Sequence, residues 1–147
     1  MPISTQTAAK EKFLPLMREL ARAYQAFAAY DASGYRDSGL TVPQADVIFT
    51  LGNTEGLTFK EIGEHTLITK GTLTGVIDRL EQKGLVKRLA VSDDRRCTRV
   101  TLTVKGKRVF EKEFPRQIEY LKQRFDKLTR SDRQAALRLL RKIRELF

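Results

Sequence analysis

The sequence contains one cysteine, one histidine and no tryptophan among its 147 residues. One cysteine excludes an internal disulfide, and with one histidine it argues against a metal centre built from Cys and His clusters. No apolar run approaches the roughly 18 residues of a membrane helix, and the N-terminal segment lacks the apolar core of a signal peptide. A glycine-rich phosphate loop and a nucleophile elbow are also absent. We therefore expect a cytoplasmic protein without a membrane partner. We also expect no enzymatic activity, catalytic residue, metal or cofactor.

Acidic residues are in short supply relative to basic ones. The chain has 28 Lys and Arg against 18 Asp and Glu, for a net charge of +10. This balance favours a polyanionic partner, namely DNA, RNA or an anionic membrane surface. Nucleic acid is the preferred partner, because basic residues crowd onto one element of the fold. The chain has 147 residues, and 41% of them are hydrophobic. It is therefore long enough and apolar enough to form one domain with a core of its own.

The segment that begins at Thr58 carries the clearest local pattern. Thr58 followed by Glu61 is a capping box, in which each side chain satisfies a free backbone N–H at a helix start. A short helix to about His65 is predicted, then a brief break, then a second helix with Thr69 as its N-cap. Gly84 lies just past the end of that helix, where a left-handed residue is favoured. The apolar residues of the second helix, Leu73, Val76, Ile77 and Leu80, have helical spacing, and the two helices together predict a helix-turn-helix.

The outward face of the second helix carries two glycines. Gly71, Gly75 and Asp78 are predicted to lie opposite the apolar face, flanked by Thr72, Thr74 and Arg79. Each glycine destabilises a helix by roughly 1 kcal/mol relative to alanine. We interpret the glycines as allowing the backbone to approach DNA closely, with the threonines free to contact bases or phosphates. The alternative is a weakly stable helix whose outer face is merely solvated.

Two β-prone segments follow this helix. Residues 84–91 and 95–103 are rich in β-branched residues, and Ser92-Asp93-Asp94 between them are turn formers, which together predict a hairpin. The hairpin is strongly basic, with Lys87, Arg88, Arg95, Arg96 and Arg99 against two aspartates. A helix-turn-helix followed by a basic hairpin is typical of a winged helix.

Several spaced motifs in this region agree with one known family. Asp94, Arg96 and Leu102-Thr103 fit the wing motif D-x-R-x-x-x-x-x-L-T of MarR-type regulators. The family's usual exit from the recognition helix is matched by residues 79–81, residues 84–86 and Arg88. The family's glycine after Leu-Thr is matched by Gly106. The sequence therefore resembles the MarR family in layout over most of its length, and at motif level from about Gln44 to Gly106.

The resemblance implies which residues contact DNA. Arg96 is expected to enter the minor groove, whose negative potential is enhanced in narrow A·T-rich DNA, and Asp94 to orient Arg96 or hold the turn. Lys70, Arg88 and Arg99 are expected to contact phosphates rather than bases. The complete predicted DNA-binding set is Thr69, Lys70, Gly71, Thr72, Thr74, Gly75, Arg79, Arg88, Asp94, Arg95, Arg96 and Arg99.

Further helices are predicted before this region. Residues 1–7 are small and polar and are expected to be frayed. An apolar stripe from Phe13 to Tyr30 predicts a long helix, which either starts near Leu14 with Pro15 in its first turn or is kinked at Pro15. Thr41, with Gln44 three residues later, caps the next helix.

Two more helices are predicted after the hairpin. Thr103 caps a long helix in which Pro115 predicts a bend. Thr129 caps the last helix, whose apolar face consists of Leu137, Leu140, Ile143 and Phe147. These apolar stripes must be buried either on their own domain or against a second copy of the chain.

The predicted fold class is mainly α with a small β-hairpin wing, that is, a winged helix-turn-helix core plus N- and C-terminal dimerisation helices. Residues 1–40 form the N-terminal dimerisation helix and loop, residues 41–103 the DNA-binding domain, and residues 104–147 the C-terminal dimerisation helices of one compact chain. The family resemblance favours a homodimer, because MarR-type proteins dimerise through their first and last helices. Two recognition helices one DNA turn apart would then contact a palindrome.

Two candidate regulatory features remain. A cavity for a small phenolic or aromatic anion, which many family members bind, is predicted to be lined by Tyr24, Phe27, Tyr30 and Phe49; the alternative is plain core packing.

Cys97 is a candidate thiol switch, because cationic neighbours lower the pKa of a thiol and favour the reactive thiolate. An incidental cysteine is preferred, because the oxidant-sensing relatives we consider place theirs near the N-terminus.

The sequence thus predicts a homodimeric regulator that binds a pseudo-palindromic operator in double-stranded DNA. It is expected to repress transcription and to be released by a small aromatic effector. The alternative is a ligand-independent architectural or virulence-type DNA-binding protein of the same fold.

Overall fold

Helices make up most of the chain in a computed structural model, which describes residues 2–90 and 98–147. The chain divides into two units after Gly39, and each unit is described by itself. Within the described ranges, no helix is long and apolar enough to cross a membrane.

The first unit contains two helices. Helix α1 spans Thr5–Ala8, with Ser4 accepting a hydrogen bond from the Thr7 N–H, so the expectation of a frayed segment is wrong from Ser4 onward. Helix α2 spans Leu14–Ser33 with Pro15 in its first turn, which confirms the first of the two alternatives for that proline. None of the residues in α2 is buried.

The second unit begins with α3, Val42–Leu51, whose start carries the predicted capping box of Thr41 and Gln44. Strand β1, Leu57–Thr58, precedes α4, Phe59–His65, which starts at the predicted capping box of Thr58 and Glu61. Helix α5 spans Lys70–Gln82 with Thr69 at the N-cap position. Gly84 follows with a φ of +73°, as the helix-end pattern predicted.

The hairpin consists of β2, Val86–Ala90, and β3, Thr98–Leu102, paired antiparallel with Val86 opposite Leu102. The short strand β1 pairs with the other edge of β3, so the strand order is β1–β3–β2. The sequence patterns did not predict β1, because two residues are too few to show a strand periodicity.

One apolar core joins these helices to the sheet. Its side chains come from one face each of α3, α4 and α5 and from the inward positions of β2 and β3. The predicted apolar face of α5 is fully part of it. The buried members are Val47, Ile48, Leu51, Ile62, Leu73, Val76, Ile77, Leu80, Leu85, Val86, Val100 and Leu102.

Two helices end the chain. Helix α6, Val104–Phe125, starts at the predicted cap Thr103, whose hydroxyl accepts from the Gly106 N–H and donates to the Gly84 carbonyl oxygen at 2.6 Å. It runs as one helix past Pro115. Helix α7, Arg130–Arg144, starts at a capping box of Thr129 and Asp132 and buries no residue.

Candidate nucleic-acid interface

The outer face of α5 is a continuous exposed surface. The four apolar residues of α5 are buried in the core, and this orients the remaining residues of its first three turns outward. The exposed members are all sequence-predicted site residues: Thr69, Lys70, Gly71, Thr72, Thr74, Gly75 and Arg79. The structure therefore brings seven of the twelve predicted DNA-binding residues together on one helix face.

Neither glycine of this face is required by the fold. A Cβ atom placed on Gly71 or Gly75 would meet no atom within 4 Å, and neither residue has a positive φ. Gly106 is different, because a Cβ there would overlap the Leu85 carbonyl oxygen where α6 crosses the base of the hairpin. Gly106 is thus explained by packing inside the chain, whereas nothing in the described part of the chain explains the two glycines of α5.

The start of α5 suits an anion. Thr69 occupies the N-cap position but makes no capping hydrogen bond to the backbone; its hydroxyl donates to the Thr72 hydroxyl oxygen at 3.1 Å. The first N–H groups of a helix carry partial positive charge, and Lys70 adds a full charge in the first turn. A phosphate group matches this arrangement of donors.

Arg88 has partners within the chain that the sequence did not indicate. Its guanidinium pairs with Asp78, lies 3.9 Å from a Glu81 carboxylate oxygen, and stacks 5.5 Å from the centre of the Phe59 ring. These contacts connect β2 to the C-terminal half of α5, and so fix the helix relative to the hairpin. Arg88 therefore has a positioning role, and its contact with a phosphate stays a prediction.

Arg99 also has an internal partner. Its guanidinium donates to the Gly56 carbonyl oxygen at 3.0 Å and ties β3 to the loop before β1. Its side chain is half-buried at this position. A DNA contact by Arg99 stays a prediction as well.

The tip of the hairpin lies outside the described residues. Asp94, Arg95, Arg96 and Cys97 all fall there. Their roles in minor-groove binding, and the question of a thiol switch, stay predictions from sequence.

The predicted ligand-contacting aromatic residues fall in different units. Tyr24, Phe27 and Tyr30 lie on α2 of the first unit. Phe49 lies on α3 of the second, half-buried and in edge-to-face contact with Phe114, the ring centres being 5.2 Å apart. Packing against the aromatic residues of α6 supports the plain-core alternative for Phe49, and its role in a ligand cavity stays a prediction.

Among the residues that the structure describes, no group of three or more His, Cys, Asp or Glu could hold a metal ion. His65 lies exposed in the last turn of α4.

Comparison with known proteins identifies the family. Residues 38–96 match the family model described as MarR family. The regulator MhqR of Bacillus subtilis (strain 168) is 33% identical over 105 residues, which cover 71% of this chain and 72% of MhqR. The chain spans only about a third to two thirds of the length of several other curated relatives that it matches.

Solved structures agree with this match. The structure of Bordetella bronchiseptica BpsR, from work on the regulation of its DNA binding by 6-hydroxynicotinic acid, superposes with a TM-score of 0.77. It is 31% identical and covers 88% of this chain and 98% of its own. NadR in complex with 4-hydroxyphenylacetate gives a TM-score of 0.71 at 25% identity, with 97% of each chain covered. With its winged-helix core and exposed α5 face, this chain belongs to the MarR family of winged-helix transcriptional regulators.

Proposed function

We propose that this protein is a repressor that binds a pseudo-palindromic operator in duplex DNA as a homodimer and is released by a small aromatic or phenolic acid. The observation that carries the proposal is the outer face of α5. Gly71 and Gly75 leave the helix backbone bare at two positions where the fold has room for a Cβ atom. A bare strip of this kind would let the helix backbone approach the floor of a major groove closely.

Docking would follow from the chemistry of this face. The first turn of α5, with Lys70, would contact a phosphate, and the hydroxyls of Thr72 and Thr74 would reach base edges. Arg88 would hold the angle between α5 and the hairpin through Asp78, so that the wing and the recognition helix reach neighbouring grooves together. Arg96 would then contact the minor groove.

Exposed apolar side chains support the homodimer. The apolar stripe that runs from Phe13 along α2 is exposed. Phe13, Leu16 and Tyr24 are each 57% accessible to solvent. On α7, Leu137 and Leu140 are 49% and 52% accessible. Contiguous exposed apolar surface of this kind marks an interaction surface. A second copy of the chain would cover both stripes and place two α5 helices about one DNA turn apart.

Two relatives suggest the class of effector. DNA binding by BpsR is regulated by 6-hydroxynicotinic acid, and NadR has been crystallised with 4-hydroxyphenylacetate. Both molecules are small aromatic acids. In this protein such a ligand would release DNA only to the extent that it prefers a dimer whose α5 spacing does not fit the operator.

The test begins with a genome-wide map of bound sites, which defines the operator. Binding of the protein to operator and to scrambled duplex is then measured by fluorescence anisotropy, with and without hydroxylated benzoic and phenylacetic acids. A regulator should prefer its operator by about 10³-fold or more. A ratio near one would instead favour the ligand-independent architectural protein. An unchanged affinity with every acid would contradict the release step only.

A further inference from the structure

Positive charge is distributed unevenly along the chain. Residues 104–147 contain 14 Lys and Arg against six Asp and Glu, a net charge of +8. Residues 1–103, which include α5 and the whole hairpin, contain 14 against 12, a net charge of +2. Most of the excess charge therefore lies on the C-terminal helices and not on the elements proposed to dock on the operator.

One face of α7 carries much of this charge. A shallow groove along the helix is lined by Gln134, Leu137, Arg138, Arg141, Lys142 and Glu145, so three cations from two successive turns line one groove. We call Arg138, Arg141 and Lys142 the basic face of α7. All three side chains are exposed, and none forms an ion pair with another residue in the described ranges. Arg88 and Lys122, by contrast, are paired with carboxylates of their own unit.

Helix α7 does not pack against α5. Helix α6 starts at the end of α5, where Lys105 donates to the Lys83 carbonyl oxygen at 3.0 Å. A helix of this length extends roughly 30 Å, and α7 follows its far end without burying any residue against the winged-helix core. Charges are screened over about 8–10 Å at physiological salt. DNA bound at α5 would therefore leave this charge largely uncompensated.

We propose that the basic face of α7 binds the phosphate backbone of a second DNA duplex, separate from the duplex contacted by α5. This inference rests on the proposed function, which assigns the first duplex to α5 and the apolar face of α7 to the dimer. Side chains three and four residues apart on a helix lie about 5–6 Å from each other, a spacing at which they can contact phosphates along one strand. Guanidinium groups also bind phosphate in a bidentate manner.

The composition of α7 favours DNA over a lipid surface. A helix that lies on a membrane inserts its apolar face, usually with aromatic residues, into the lipid. No aromatic residue occurs between Arg130 and Arg144. The apolar face that would have to insert is also the one proposed to contact the second copy.

The experiment measures whether one protein molecule can hold two duplexes. A 30-base-pair operator duplex is fixed to beads and saturated with protein, and capture of a dye-labelled 30-base-pair duplex of unrelated sequence is titrated at 50 and 200 mM salt. The test variant is Arg138→Gln/Arg141→Gln/Lys142→Gln, because glutamine has nearly the same helix propensity as arginine and lysine. The matched control, Lys10→Gln/Lys12→Gln/Arg36→Gln, removes three exposed charges from the first unit.

The wild type and the control should capture the second duplex, and the test variant should not. Three phosphate contacts correspond to a salt slope of about −2.7, which weakens capture roughly 40-fold between 50 and 200 mM salt. Equal capture by the test variant would overturn the inference. Binding to phosphatidylglycerol–phosphatidylcholine vesicles, or capture of single-stranded RNA, without duplex capture would overturn it as well.

A separate measurement distinguishes this inference from the proposed function. The affinity of the test variant for operator duplex alone reports on α5 and should change little. If the wild type fails to prefer operator over scrambled duplex but its two-duplex capture is lost with the α7 substitutions, the proposed function fails, and duplex binding by the basic face of α7 stands by itself. If the wild type prefers operator normally but captures no second duplex, the proposed function stands and the inference fails.

Discussion

Replacing Gly75 should change folding stability and DNA binding in opposite directions. In the free protein a Cβ at this position meets no atom of another described element within 4 Å, so alanine fits there. Alanine in a helix interior is about 1 kcal/mol more favourable than glycine. We expect Gly75→Ala to raise the free energy of unfolding by about that amount, and the melting temperature by roughly 3 °C.

Operator binding should weaken in the same series. The added side chain lies on the face proposed to approach the floor of the groove, and leucine adds more bulk than alanine. Gly75→Leu should lower operator affinity to the level of non-specific binding, a loss of about 10³-fold or more. Non-specific binding through Lys70 and the basic residues of the wing should survive at low salt.

The assay pairs thermal and denaturant unfolding with anisotropy titrations against operator and scrambled duplex. Gly106→Ala is the control, because the same substitution there places a Cβ against the Leu85 carbonyl oxygen. It should destabilise the protein, by about 1–3 kcal/mol for overpacking. If Gly75→Leu binds operator as tightly as the wild type while remaining folded, α5 does not enter the groove by this face, and the central assignment is wrong.

Four further predictions concern other parts of the chain. Leu137→Glu/Leu140→Glu should turn the dimer into a folded monomer by light scattering and circular dichroism, since both side chains are half exposed on α7; a wild type that is already monomeric at micromolar concentration would contradict the assembly. Arg88→Ala should lower the free energy of unfolding by about 1 kcal/mol or less, because the side chain is 35% exposed. It should nevertheless weaken operator binding more than Lys87→Ala, a substitution at an exposed neighbouring residue. Equal operator affinities of the two variants would contradict the positioning role of Arg88. Arg96→Ala should weaken operator binding strongly without changing the preference among major-groove bases, since minor-groove contacts distinguish mainly A·T from G·C; an altered base preference in a binding-site selection would refute this role. Cys97→Ser should bind operator normally, and peroxide should not release the wild type; release by peroxide that Cys97→Ser abolishes would make the protein a redox sensor.

Much of the fold was predictable because its determinants are local. The capping boxes at Thr41, Thr58 and Thr129 each join residues only three positions apart, so each helix start is visible in the sequence. The buried face of α5 follows from a spacing of three and four residues, and its outward face is then the remainder. The part of the candidate site that lies on α5 was therefore predictable from the same pattern.

Other features depend on residues that are distant in sequence, and only the tertiary structure decided them. In the sequence, Arg88 is one of several basic residues of the hairpin. In the fold, β2 lies beside α5, so Arg88 pairs with Asp78 and has an internal partner. The sequence alone does not show which of the glycines at 71, 75 and 106 is required by packing. Only the crossing of α6 over the Leu85 carbonyl shows that Gly106 serves the fold, while the space around the other two is open among the described residues. A contact between distant segments requires the whole chain to be folded, and no local pattern contains that information.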